Sequence, residues 1–393
     1  MISTGLDRLL ADAGALHGRS FGLLAHGASV TSDLRPAHLA LAGAGVRAAR
    51  LFGPEHGYYG VEQDMVASRD AVDPWTGAPV VSLYGDDAST LAPRREAFDG
   101  LDLLVIDLQD VGARYYTYAA TAVWAAEVAL GAGLEVWILD RPNPLGGTVV
   151  EGNLPSPGFE SFVGAFRMPV RHGLTLGEIA RLELSRAGAD MAGLRFFPLT
   201  GWERAMLWSE TGRPWFAPSP NMPDFATALV YPGMCLVEAT GISEGRGTTR
   251  PFRLFGAPGV DPIALAEALA PLRQLGVAAV PTFFRPWHQK HRGEPCGGVE
   301  LVVVEPKRIA GYRLGVRVLE ALRRAAPDAF HWRAAPYEFV ADRPAIDLLA
   351  GTDVLRRALD DGEDLSHWLA SWSADEDAFR DERREHLLYP EPA

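Results

Sequence analysis

Short apolar runs alternate with longer amphipathic stretches through the first half of the chain, the pattern of parallel strands joined by helices. Runs at 21–25, 46–52, 79–83, 101–108 and 134–139 predict buried strands. The strongest, Leu101-Asp102-Leu103-Leu104-Val105-Ile106-Asp107, is nearly continuous and ends on polar residues, as a strand covered on both faces does. Helices are predicted at 35–44, 118–131 and 175–187, the last announced by Thr175 and Glu178 at capping-box spacing. From 201 to 262 Gly and Pro are frequent and polar clusters dense, which predicts long functional loops. A second alternating region follows, with a helix at 263–272, strands at 277–281 and 298–304, and a helix at 312–325. The tail at 342–388 reads as mostly helical. The boundary is placed near residue 230, giving domains 1–230 and 231–393.

The length of 393 residues fits two or three domains at about 150 residues each. Net charge of −13 repels a phosphate backbone and anionic lipid alike, so neither nucleic acid nor a membrane is an expected partner. No stretch approaches a membrane span, and the first residues lack a basic segment followed by an apolar one. The chain as it stands is therefore expected in the cytoplasm, or secreted or periplasmic if a signal was removed. Cys235 and Cys296 are the only cysteines, which gives no disulfide framework and no metal-type spacing; two free thiols are expected. Of the 37 basic residues only Lys290 and Lys307 are lysines, so any anion would be met chiefly by guanidinium forks.

Candidate chemistry sits at strand ends and in glycine-bounded loops, where rigid scaffolds carry catalytic groups. Gly53-Pro54-Glu55-His56-Gly57 follows the second strand and projects two adjacent ionisable groups, suited to general acid or base work or, alternatively, to a helix cap. The string from Asp107 to Tyr118 holds Asp110, Arg114 and Tyr116, suited to a polyhydroxylated ligand; an Asp110–Arg114 pair locking the loop is the alternative. Asp140 and Asn143, with Glu151 shortly after, form a third cluster, or else a Pro-rigidified turn. Further on come His172, Asn221, and Glu244 and Arg246 within Ser243-Glu244-Gly245-Arg246-Gly247. Trp202, Trp208 and Trp215 are candidate sugar platforms. Neither a phosphate loop nor a dinucleotide fingerprint is present, and a metal site would have to be assembled from scattered His56, His172 and Asp residues with no HExxH or zinc-type spacing to mark it.

The strings LFGPEHG, DLQDVGARYYTY, LDRPNPLGG, VRHGLTLGE, PSPNMP, EATGISEGRGTTRPF and CGGVEL, in order over most of the chain, resemble the DUF1343 family, whose characterised members are exo-β-N-acetylmuramidases of peptidoglycan recycling. That resemblance implies a Rossmann-like parallel-sheet N-terminal domain, a smaller α/β C-terminal domain, and a sugar cleft between them. It also implies a cofactor-free glycoside hydrolase with two carboxyl groups, acting on N-acetylmuramic acid (MurNAc) at non-reducing ends. Glu55 is the first candidate catalytic carboxyl, with Glu151 and then Glu244 for the second. His56, Asp110, Arg114, Tyr116, Asp140, Asn143, His172, Asn221 and Arg246 are candidate substrate contacts, a guanidinium being suited to the lactyl carboxylate of MurNAc. The alternatives are an inactive binding protein for the same sugar and a metal-dependent hydrolase on the same pocket.

Overall fold

The computed structural model describes residues 1–334 and 336–391. The first half builds a seven-stranded sheet from β1 (Phe21–Ala25), β2 (Arg50–Gly53), β3 (Ala71–Val72), β4 (Pro79–Ser82), β5 (Leu103–Asp107), β6 (Glu135–Leu139) and β7 (Leu194–Phe197), in the spatial order β3-β4-β2-β1-β5-β6-β7. Only the short edge strand β3 runs antiparallel. Both faces are covered: Leu24, Ile106 and Ile138 point into one core, while Leu23, Val105 and Leu139 point into another. The period of two along each strand explains why these segments are apolar almost throughout.

The expected strands and helices fall within a few residues of the observed ones. Helix α3 (Tyr118–Gly131) matches its expected span, after α1 (Gly5–Ala11) and α2 (Ala37–Gly43). Helix α4 (Leu176–Arg186) starts with the expected box, Glu178 donating its backbone N–H to Thr175 Oγ1 at 3.3 Å and accepting from the Thr175 N–H at 3.0 Å. Strand β7 was not expected, because Leu-Arg-Phe-Phe is too short to show a pattern; Arg195 lies over the Trp137 and Phe197 rings.

The region expected to be long loops is partly regular. It contains α5 (Phe225–Met234), a following 3₁₀ turn at Cys235–Ala239, and β8 (Leu254–Ala257). Pro232 and Gly233 disguise α5 as a loop. Gly233 is there because α5 packs tightly on a later helix: a Cβ at Gly233 would lie 2.0 Å from the Gly311 carbonyl oxygen and 2.5 Å from Gly315 N. The backbones touch where only glycine fits.

The second half has an antiparallel sheet of order β8-β10-β9, with β9 at Val277–Phe284 and β10 at Cys296–Val303. Helix α6 (Pro262–Ala268) packs on β9 and β10, and α7 (Gly311–Ala325) packs on α6 and α5, followed by α8 (Ala345–Ala350), α9 (Val354–Asp361) and α10 (Ser366–Arg383). The mixed α/β architecture, one large mostly parallel sheet with a smaller second one, is as expected. The tail does not stay with the second half, however. Asp375 and Glu376 of α10 accept from the backbone of Leu154 and Gly152, and Arg383 donates to the carbonyls of His172 and Gly173. One apolar core runs continuously through both halves. Cys235 and Cys296 are both free and buried.

Candidate active site

Strand β2 ends at Gly53, whose missing Cβ leaves room for Tyr58 N to fold back to within 2.5 Å of where that atom would sit. The sharp return lifts Glu55 and His56 off the carboxyl end of the sheet, the edge where open α/β sheets bind ligands. His56 is in the left-handed region at φ 68°, a conformation a non-glycine residue adopts only when its surroundings enforce it. Its Nδ1 lies 3.0 Å from the Glu62 carbonyl oxygen. The Glu55 carboxylate accepts from Thr117 Oγ1 at 2.7 Å, and Tyr118 Oη donates to the Glu55 and Pro218 carbonyls at 3.3 and 2.9 Å. Thr117 thus holds the carboxylate and Tyr118 the backbone of the same turn.

That carboxylate opens into a pocket walled by residues from both sides of position 230. Glu55, His56, Asp64, Tyr116, Ser219 and Asn221 come from the first side, Tyr231, Glu238, Arg246, Phe252, Tyr337 and Glu338 from the second. Asn221 is oriented by donating to Gln63 Oε1 at 3.0 Å, and the buried Tyr116 hydroxyl has no partner among the described residues. Glu338 follows an unusual backbone path, with φ of 44° at Glu338 and 67° at Phe339, and accepts from Tyr84 Oη at 3.0 Å.

The electrostatics are lopsided. Glu55, Asp64 and Glu338 each place a carboxylate oxygen within 4.8 Å of the others, a spacing that a shared proton relieves or a cation can bridge. Burial, reinforced by the neighbouring Glu55 and Asp64 charges, pushes the Glu338 carboxyl well above the usual carboxylate range. Burial likewise raises Glu238, although Arg246 pulls the other way. The Arg246 guanidinium bonds Glu238 at 2.6 Å and Asp64 at 3.1 Å and lies 3.4 Å from Glu244. Tyr337 Oη donates to the other Glu238 oxygen at 2.8 Å.

Five of the expected site residues therefore come together: Glu55, His56, Tyr116, Asn221 and Arg246. Glu244 stands just behind them, bonded to Lys290 at 2.8 Å; burial alone would raise it, yet Lys290 and Arg246 hold it below the usual range. The others serve the scaffold. Glu151 accepts from Arg313 N at 2.8 Å in the first turn of α7, and lies outside the pocket wall. Asp140 accepts from Thr175 Oγ1, Gly177 N and Tyr389 Oη at 2.7, 2.9 and 2.6 Å, with burial pushing it up to about 6. Asn143 bridges Leu174 O and Leu145 N.

Arg114 and Asp110 do not pair with each other. Arg114 donates to the carbonyls of Asn153, Met168 and Leu349 at 2.8–3.0 Å, tying the first half to α8. Asp110 accepts from Gly112 N at 2.6 Å and is pushed up to about 7 by burial. His172 accepts from Leu174 N, and burial drives it down to about 3, so it is neutral. It lies 3.6 Å from Asp110, and the group of possible metal ligands found among the described residues, Glu55, Asp64 and Glu338, includes neither His56 nor His172. Trp202 packs on Tyr389, and Trp208 on Trp215; none of the three lines the pocket. Asp64, Glu238, Tyr337 and Glu338 were not anticipated. The one available signal was a lone Glu238 in the apolar run Leu236-Val237-Glu238-Ala239, an expensive place for a carboxylate without a purpose.

Two family models match in tandem: exo-beta-N-acetylmuramidase NamZ, N-terminal, over residues 21–226, and its C-terminal counterpart over residues 229–389. The chain is 36% identical over 390 residues to the peptidoglycan beta-N-acetylmuramidase NamZ of Bacillus subtilis strain 168, covering 99% of this chain and 91% of that protein. Two crystal structures of DUF1343 family proteins from Bacteroides fragilis superpose on it. One has a TM-score of 0.87 at 31% identity over 99% of each chain, the other 0.77 at 25% identity over the whole of each. With its pocket of crowded carboxylates and matches that span both halves, the chain belongs to the NamZ family of exo-β-N-acetylmuramidases, which are glycoside hydrolases.

Proposed function

We propose that this chain releases MurNAc from the non-reducing end of β-linked peptidoglycan fragments, with Glu338 as the proton donor to the leaving oxygen and Glu55 as the opposing carboxylate. The observation that carries the assignment is the asymmetry of the pair. Both carboxyl groups accept a hydroxyl hydrogen bond, Glu55 from Thr117 and Glu338 from Tyr84, yet burial and the neighbouring Glu55 and Asp64 charges still push Glu338 well up, the direction a proton donor needs. Two carboxyl groups with environments that differ in this way divide the roles of acid and anion between them. One carboxylate oxygen of each lies within 4.8 Å of one of the other, close enough for the retaining order of steps. Glu55 then attacks the anomeric carbon as Glu338 protonates the departing oxygen. In the second half Glu338, now ionised, takes a proton from water, whose oxygen displaces Glu55. Arg246 holds Asp64 and Glu238 in place, keeping both carboxylates out of the exchange.

The test is incubation with nitrophenyl β-MurNAc and with a MurNAc-headed disaccharide, with and without chelator. Release of MurNAc from both, unchanged by chelation, is expected. No release while the Bacillus enzyme works in parallel leaves a binding protein; loss on chelation and recovery with a divalent cation makes the Glu55, Asp64 and Glu338 cluster a metal centre.

A further inference from the structure

We propose that Arg333 selects the substrate by meeting its lactyl carboxylate. The inference rests on the muramidase reading and identifies the cation which that reading requires. MurNAc differs from N-acetylglucosamine by a lactyl ether that ends in a carboxylate, so an anion must approach a pocket already lined by Glu55, Asp64, Glu238 and Glu338. Without a local cation that approach is repulsive.

The cation in the pocket wall is already engaged: Arg246 is bound to Asp64 and Glu238 and lies against Glu244. Lys290, behind it, is held by Glu244 and by the carbonyls of Val237, Glu238 and Ile242, all within 3.2 Å. Neither can turn to a ligand without abandoning buried carboxylates, which is costly.

Arg333 is different. Its backbone N–H donates to the Ala239 carbonyl at 2.8 Å and Trp332 bridges Thr240, which fixes the segment beside the Glu238 turn. Its guanidinium lies 5.2 Å over the Tyr337 ring, and one nitrogen is 3.4 Å from Met65 Sδ. Tyr337 lines the pocket, and Met65 follows Asp64, which also does. Among the described residues no carboxylate pairs with Arg333. A thioether is a weak acceptor, so most of its five donors stay available in a planar fork already oriented by stacking. Arg333 is not itself part of the pocket wall; beside Tyr337 and Met65 its fork is placed to meet, in bidentate geometry, a carboxylate that extends past that wall.

Calorimetric binding of MurNAc and of its lactyl amide, which keeps the shape and removes the charge, separates this from general damage. Wild type is expected to bind the acid about tenfold or more tighter than the amide, R333M to bind both alike, and R333K to retain part of the preference. With nitrophenyl β-MurNAc, R333M is expected to raise KM by a similar factor and leave kcat within about twofold. Wild type that binds both alike or neither, or R333M that keeps the preference for the acid, overturns the proposal. A wild type that discriminates through Arg333 yet releases no MurNAc leaves this assignment standing and removes the hydrolase reading instead.

Discussion

Two dense buried polar clusters lie on this fold, and they behave oppositely. Around Asp140, Asn143, His172, Glu178, Arg204 and Arg383 nearly every charge ends on a partner: Arg204 on Glu178 and the Gly173 carbonyl, Arg383 on the carbonyls of His172 and Gly147, Asp140 on three donors. This web stands in for backbone hydrogen bonds that the turns after β6 give up, and joins them to α10. Around Glu55 carboxylates face one another instead, and burial is met by raised proton affinity as well as by pairing. A group of buried charges left partly uncompensated is poised to exchange a proton; one that is satisfied holds the chain in place.

The largest effect should come from the pocket. Glu338→Gln and Glu55→Gln are each expected to cut kcat by roughly 10²- to 10⁴-fold with an unchanged melting temperature, as removal of a proton-transfer or covalent role does. Equal or larger losses in the satisfied web without unfolding would erase the distinction. There Arg204→Met strands Glu178 and should cost about 3–5 kcal/mol in urea unfolding, with kcat preserved in the fraction that folds.

Smaller effects sharpen the contrast. Glu151→Gln keeps the acceptor that caps α7, and should shift stability by no more than about 1 kcal/mol with kcat intact. Activity should fall as pH rises through the raised value of Glu338, because the proton donor is lost, and E338Q should lack that limb. Stability carries a separate signature. Folded Asp110 at about 7 keeps a proton that the unfolded chain has released, so its contribution is present below the ordinary aspartate value and is lost as pH rises toward 7. Urea unfolding of Asp110→Asn between pH 4 and 7 should therefore be flatter than wild type by on the order of a few kcal/mol at most. His172, driven down to about 3, acts in the opposite sense, its stability being lost as pH falls from about 6.5 toward 3.

Much of the fold was legible because its signals are local. Continuous apolar runs mark the buried strands, Thr175 and Glu178 mark the start of α4, a Gly-Pro turn at the end of β2 marks Glu55 and His56, and a proline-rich loop marks Asn221. The failures share a cause. Asp140, Asn143, Glu151 and His172 look chemical in the sequence because they are polar and turn-bound, and the same properties suit a residue that satisfies stray carbonyls and amides. Glu338 was invisible because its role comes from meeting Glu55 and Asp64 across hundreds of residues of chain, and no local pattern encodes that meeting; Glu238 showed only as a lone carboxylate in an apolar run. Likewise α5 was hidden by Gly233, whose reason lies in the backbone of α7.

The most direct test of the central claim is the kcat/KM of E338Q relative to wild type on two substrates, nitrophenyl β-MurNAc and the natural disaccharide. Nitrophenolate departs with little help from a proton donor, so the penalty should be at least about tenfold smaller there than on the disaccharide, while E55Q is penalised on both. An E338Q variant impaired equally on the two substrates, or not at all, contradicts the account.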